Sequence, residues 1–179
     1  MDALFSNSVL EHIPQLEPVI AESSRLLRSG GRFLVTVPSA NFRRCLRGPL
    51  LPWVSRTRYE RMVDARLAHH NYLSEQDWRV LLGRHGIEVD AFVPFLNVRE
   101  VRRWESLSRF TGGLLHSLFG GKTHPIHIQR RLGLRSGGER LPGSLARAVA
   151  ASIRLRPRDI DPNTIDDKSG CVLIDARKR

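Results

Sequence analysis

The sequence predicts an α/β fold: the second half of a nucleotide-binding-type domain, carrying a basic, mostly helical insertion. Three observations lead there. Residues 2–38 read as strand, turn, helix, Gly-Gly turn and strand. Residues 74–93 read as a capped helix followed by an alternating strand. A short apolar strand, Cys171–Asp175, closes the chain after a long basic segment.

The first strand is Asp2-Ala3-Leu4-Phe5-Ser6-Asn7-Ser8, short and mixed in polarity. The segment Gln15 to Arg28 places Leu16, Val19, Ile20, Leu26 and Leu27 on one helical face. Pro14 and Pro18 suit a first turn, where a missing N–H costs least. Gly30 is expected to stop this helix, because glycine adopts the left-handed cap conformation freely. Phe33–Val37 is nearly all apolar and rich in β-branched residues, the pattern of a strand covered on both faces.

Residues 39–70 are less regular and hold Pro49, Pro52 and Trp53. They predict a loop with one or two short helices above the sheet. Ser74 is a helix cap, with Asp77 three residues on to answer it. Trp78, Leu81, Leu82 and His85 then share a face, and Gly86 ends the helix. Ile87–Val93 alternates with period two, as a half-covered strand does. Val98, Val101, Trp104 and Leu107 recur at helical spacing. Leu145, Val149 and Ile153 predict a further basic amphipathic helix. The expected units are a core over 1–96, an insertion or cap over 97–169, and a returning strand over 170–179.

The net charge of +11 is unevenly distributed. Residues 1–96 hold 12 basic and 10 acidic side chains, residues 97–158 hold 13 and 3, and residues 159–179 hold 4 and 5. Such a block can meet an anionic membrane, a phosphorylated ligand or nucleic acid. Nucleic acid is the weaker expectation, since no recognised binding motif accompanies the charge. An arginine-rich composition on a solvated surface explains it equally well, because Lys122 is the sole lysine in that block. No run of about 18 apolar residues predicts a membrane span. No basic flank with an apolar stretch marks the N-terminus as a signal peptide. Cys45 and Cys171 lack a framework spacing, so free thiols and a cytoplasmic setting are expected, with the basic segment able to lie on a membrane surface.

Three stretches carry a resemblance. They are Asp2 to Ile13, Arg25-Leu26-Leu27-Arg28-Ser29-Gly30-Gly31 through Pro38, and Asn71-Tyr72-Leu73-Ser74 through Val89. Together they resemble the C-terminal half of class I S-adenosylmethionine-dependent methyltransferases. The resemblance implies an incomplete Rossmann-like sheet made of the family's strands four to seven, the last one antiparallel. It also implies S-adenosylmethionine as cofactor. The family's glycine-rich loop and its ribose-binding acidic residue have no counterpart here. Gly30-Gly31 follows a helix and precedes a strand, the reverse of that loop. The resemblance therefore implies a truncated copy that is inactive alone, with an open edge strand that invites aggregation or a homo- or hetero-oligomeric partner.

By the same resemblance, Ser6, Asn7, Ser8 and Val9 line the cofactor. Glu11, Pro38 and His69 face the acceptor, and His12 and His70 are the candidate bases. A base is needed only where the acceptor carries a proton, as a hydroxyl does. Each residue also has a bland reading: Glu11 pairs with a nearby cation, and the histidines pack and hydrogen-bond. The acceptor is expected to be a small molecule or a glycan- or lipid-linked one. The alternatives are a non-catalytic remnant that captures a partner chain, and a basic protein that binds anionic surfaces. No metal site is expected: His124 and His127 have no carboxylate or cysteine set beside them in the sequence.

Overall fold

The computed structural model describes residues 1–109, 143–144, 147, 150–151 and 169–179. Its four strands are β1 (Ala3–Asn7), β2 (Arg32–Pro38), β3 (Ile87–Phe95) and β4 (Cys171–Lys178). Among the described residues they are joined by α1 (Leu16–Leu26), α2 (Phe42–Cys45), α3 (Arg56–Leu67), α4 (Glu75–Arg84) and α5 (Val98–Ser108). The sheet order is β1-β2-β4-β3. β1 and β2 are parallel, and β4 lies antiparallel between β2 and β3. This is the α/β, Rossmann-like arrangement with an antiparallel last strand that the sequence predicts.

Parallel pairing of β1 and β2 requires a crossover, and α1 supplies it. Its buried face is Leu16 and Ile20, with Leu27 just beyond its end. Each such side chain contributes about 1.5–3 kcal/mol when fully buried. Phe33, Val35 and Val37 of β2 meet Ile174 and Ala176 of β4 and Trp78 and Leu82 of α4 in one core. A second cluster forms where α2, α3 and α5 meet, around Phe42, Cys45, Leu46, Val63 and Val101.

Several expectations stand in detail. Ser74 accepts from the Asp77 amide, and the Asp77 carboxylate accepts from the Ser74 amide, so the capping box is complete. Gly86, at φ +70, follows the α4 cap His85. The alternation of β3 is interrupted by a register shift between Val89 and Ala91.

Other details differ. Gly30 does not stop α1, which ends at Leu26 with Leu27 as its cap. Gly30, at φ +74, instead forms the turn into β2, where its amide donates to the Lys178 carbonyl at 2.8 Å. Residues 39–70 hold one four-residue helix and one of twelve residues, α3, longer than the short helices expected. In α5 the inward positions are Val101 and Glu105, while Trp104 and Leu107 stay more than a third exposed. Spacing of apolar residues could not reveal Glu105 because a carboxylate reads as a solvent-facing position.

Glu105 is buried because its charge is met on several sides. Tyr59 donates its hydroxyl hydrogen to Oε1, the Arg47 amide donates to Oε2 at 2.6 Å, and Arg109 donates to Oε1 at 2.7 Å. Burial pushes this carboxyl up, but those three donors outweigh it and hold the group below its ordinary range. The helix built on Leu145, Val149 and Ile153, the histidines His124 and His127, and most of the basic block lie outside the described residues. Among the described residues no helix is long and apolar enough to cross a membrane.

Candidate active site

In open α/β sheets ligands bind beyond the carboxyl ends of the parallel strands. Asn7 pairs with Thr36 in register, so Ser6–Val9 and Pro38 lie at the same carboxyl edge. Thr36 Oγ1 donates to Asn7 Oδ1 at 2.5 Å and accepts from the Ser8 amide at 3.2 Å. That amide also donates to the Thr36 carbonyl at 3.0 Å. Ser8 is thereby held at φ +52, a left-handed conformation uncommon for a residue with a side chain. The turn redirects the chain out of the strand. Asn7, Ser8 and Val9 remain exposed, whereas Pro38 is buried.

After this turn, Leu10 anchors a single 3-10 turn, Leu10–His12, in the core. A second segment locks onto it from the end of α3. Ala68 caps α3 in the left-handed conformation, φ +55, and swings residues 69–71 toward the sheet edge. The Glu11 carbonyl then accepts from the His70 amide at 2.7 Å and from the Asn71 amide at 3.3 Å. The Asn71 side chain donates to the Leu10 and Ile13 carbonyls at 3.2 and 2.6 Å. His12 Nδ1 contacts the Ala68 carbonyl at 3.0 Å.

The result brings Glu11, His12 and His69 together. One side-chain donor atom from each lies within 4.8 Å of the others. The His12 and His69 ring centroids are 5.1 Å apart. His70 takes a different place: its backbone ties the two segments, while its residue is exposed.

Electrostatics follow from this burial. Glu11 is 3% exposed, and burial raises its carboxyl above the ordinary range. Its Oε2 has no hydrogen-bond partner among the described residues. Burial, with the nearby His12 second, lowers His69 to about 4, so its imidazole is neutral near pH 7. Tyr72 donates to Asp64 Oδ1 at 2.6 Å, and burial and that acceptor raise the phenol well above its usual range. The Cys171 thiol is pushed up to about 12, first by burial and then by Glu11. An aromatic wall completes the surroundings: Phe42 stacks on Tyr72 at 5.9 Å and meets His69 at 5.8 Å and Trp104 at 5.8 Å.

The arrangement offers the neutral imidazole of His69, the exposed imidazole of His12 and the buried Glu11 carboxyl beside a sheet edge. Such a set can accept a proton or bind an electron-pair acceptor. Asp64 and Phe42 carry no signal in the sequence, and Tyr72 stands there only within the Asn71-Tyr72-Leu73-Ser74 stretch that carries the resemblance. The signal available for Tyr72 was its place beside Asn71, just ahead of the Ser74 cap. An open groove of about 570 Å³ lies elsewhere, between α1 and α4, lined among others by Leu16, Pro18, Leu81 and Arg84. None of the candidate site residues lines it.

Residues 1–35 match the family model for the methyltransferase domain. Comparison with curated proteins finds no match. Among solved structures, the chain is similar to a candidate sarcosine dimethylglycine methyltransferase from Galdieria sulphuraria, at 14% identity and a TM-score of 0.47, over 99% of this chain and 52% of that one. It is similar to a phosphoethanolamine N-methyltransferase 2 from Haemonchus contortus in complex with S-adenosyl-L-methionine, at 14% identity and a TM-score of 0.48, over 99% and 33%. A third is a geranyl diphosphate C-methyltransferase from Streptomyces coelicolor A3(2), at 14% identity and a TM-score of 0.43, over 99% and 47%. The chain spans about half the length of the first of these structures, or less. The matched residues 1–35 run from β1 through α1 into β2, so this segment is similar to part of the methyltransferase domain.

Proposed function

We propose that the chain supplies one side of the cofactor and acceptor cleft of an S-adenosylmethionine-dependent methyltransferase. The observation that carries this reading is the match over residues 1–35, which ends inside β2 and includes both Ser6–Val9 and the Glu11-His12 pair. The carboxyl-edge position of those residues supports it, because that edge is where α/β sheets take ligands. In this reading Ser6, Asn7, Ser8 and Val9 lie along the cofactor. Glu11, His12 and His69 face the acceptor, with Pro38 as part of the floor.

Methyl transfer requires an acceptor lone pair aligned behind the methyl carbon of the sulfonium. The new bond forms as the carbon–sulfur bond breaks, and the electron pair returns to sulfur. A hydroxyl acceptor also gives up its proton, and the exposed His12 is placed to take it. His70 acts here through its backbone, by holding the two segments together. The acceptor is a small molecule or a glycan- or lipid-linked one. The two chemistries differ at the protein surface, since a lipid-linked acceptor also needs an apolar or anionic docking face.

The test is a titration of the isotopically labelled chain with S-adenosylhomocysteine, followed by amide chemical shifts. Shifts concentrated at Ser6–Val9 and Glu11–His12 are expected. A titration that reaches millimolar ligand with a folded chain and no shift in those residues rejects the cofactor reading and leaves the non-catalytic, partner-binding alternative.

A further inference from the structure

We propose that Glu11, His12 and His69 form a binding site for a divalent first-row transition metal ion. The donor set is two imidazoles and one carboxylate. Imidazole suits zinc, iron, cobalt and related ions, whereas magnesium and calcium favour all-oxygen sites. Two histidines and a glutamate, leaving a position open, also make up one established form of catalytic zinc site.

The hydrogen bonds around the two histidines fix which ring nitrogen of each keeps its lone pair. A carbonyl oxygen can only accept, so the 3.0 Å contact with Ala68 puts the His12 proton on Nδ1. The lone pair is then on Nε2, which lies 3.9 Å from Glu11 Oε1. Tyr72 has one hydroxyl hydrogen, and it goes to Asp64. The Tyr72 oxygen must therefore accept from His69 Nδ1, 3.0 Å away. This leaves the His69 lone pair on Nε2 as well. Both histidines are thus set in the ligating tautomer by a partner on the opposite nitrogen. That is the outer arrangement typical of metal-bound histidine.

Glu11 supplies an independent reason. A carboxylate that is 3% exposed, with Oε2 unpartnered among the described residues, is costly unless something meets its charge. Among the described residues the basic group recorded beside it is His12, whose Nε2 lies 3.9 Å away, too far for a hydrogen bond. A cation in the middle of the set satisfies Glu11 and both imidazoles together. Bonds of about 2.0–2.2 Å would draw the donor atoms to about 3.3–3.5 Å from one another in a tetrahedral site. The three side chains therefore close in slightly on the ion. His12, with 41% of its side chain exposed, is free to make that movement.

The sequence hides this set because Glu11 and His12 are far from His69 along the chain. They meet only when the Ala68 turn folds residues 69–71 back over the 3-10 turn. Metal binding does not depend on the methyltransferase reading. If both hold, the ion takes the lone pairs that would otherwise accept a proton. It then binds the acceptor oxygen as a Lewis acid, in place of a histidine base.

The experiment is a titration of the full chain with Co²⁺ at neutral pH, read by visible absorption, followed by competition with Zn²⁺ and with Mg²⁺. The expected result is a saturable band more intense than that of aqueous Co²⁺, lost on addition of Zn²⁺ and retained in Mg²⁺. Tyr72→Phe removes the acceptor for His69 Nδ1 and should weaken binding about 10–100-fold. His12→Ala and Glu11→Gln should weaken it more. His12 lies at the surface, so its variant keeps the core intact, and circular dichroism checks the fold of each. His124→Ala/His127→Ala should bind as the unaltered chain does. No band with folded protein, full binding by His12→Ala, or equal competition by Mg²⁺ overturns the proposal.

Discussion

The Glu11 carbonyl accepts the His70 amide at 2.7 Å, and this bond joins the turn after β1 to the segment after α3. Glu11 thus has two separate tasks. Its backbone closes the site, while its side chain faces the interior of it. Asn71 reinforces the closure from the other strand of the junction. Its side-chain amide bridges the carbonyls of Leu10 and Ile13, the residues on either side of the Glu11-His12 pair.

Replacing Asn71 with Ala should therefore loosen the site before it unfolds the domain. Two hydrogen bonds are lost, and two carbonyls are left to find other donors. The expected cost is about 1–3 kcal/mol. Chemical denaturation would measure it as a lower midpoint with an unchanged slope. The His12 and His69 ring resonances should also shift, since their separation depends on this junction. An unchanged midpoint would mean that the amide bonds to Glu11 hold the junction alone.

Gly170 governs a second close approach, just before β4. A side-chain carbon placed there would collide with Val101 and contact Phe42 at 3.5 Å. Val101 and Phe42 belong to the cluster formed by α2, α3 and α5. The Gly170 amide also donates to the Leu96 carbonyl at 2.7 Å, so the backbone cannot simply retreat. Gly170→Ala should destabilise the chain by about 1–3 kcal/mol through overpacking. Pairing it with Val101→Ala should recover part of that loss, and thermal melts of the two single variants and the pair would show the coupling.

The α4 cap offers a local measure. Ser74 accepts the Asp77 amide at 3.2 Å and Asp77 returns the contact to the Ser74 amide at 3.1 Å. Ser74→Ala should cost about 1 kcal/mol, seen as a lower denaturation midpoint. The effect should stay with α4 and the β3 edge it packs against, leaving the ring resonances of His12 and His69 unchanged. A shift in those resonances would show that the cap also sets the position of Asn71.

What could be read in advance follows from which forces are local. β2, α4 and the cap at Ser74 were legible because periodicity and capping involve residues within a few positions of each other. The antiparallel β4 was legible through the resemblance and its apolar run. The end of α1 was misread because Gly30 is a strong stop signal, yet its positive φ serves the turn that meets Lys178. For the site, Glu11, His12 and His69 were singled out, but not the reason they meet. That reason is the left-handed Ala68, which no glycine or asparagine announces. Glu105 was invisible for a related cause. Its partners Tyr59, Arg47 and Arg109 come from two other stretches of chain and from its own helix end.

Glu105 gives the pH dependence with the clearest sign. Burial alone would raise its carboxyl, but Tyr59, the Arg47 amide and Arg109 together hold it below the ordinary value of 4.5. In the unfolded chain the group titrates near that ordinary value. Between the two values the unfolded state binds a proton that the folded state does not, so stability falls as the solution is acidified. The contribution is fully present above about pH 4.5 and is lost as the pH drops through the folded value. Glu105→Gln keeps the shape but not the charge. It should cost about 1.5–3 kcal/mol near neutral pH, the worth of hydrogen bonds to a charged group. The gap between variant and unaltered chain should then narrow below about pH 4.5. Denaturant midpoints measured from pH 7 down to pH 3 would test this, and a constant gap across that range would mean that Glu105 acts by packing and not by charge.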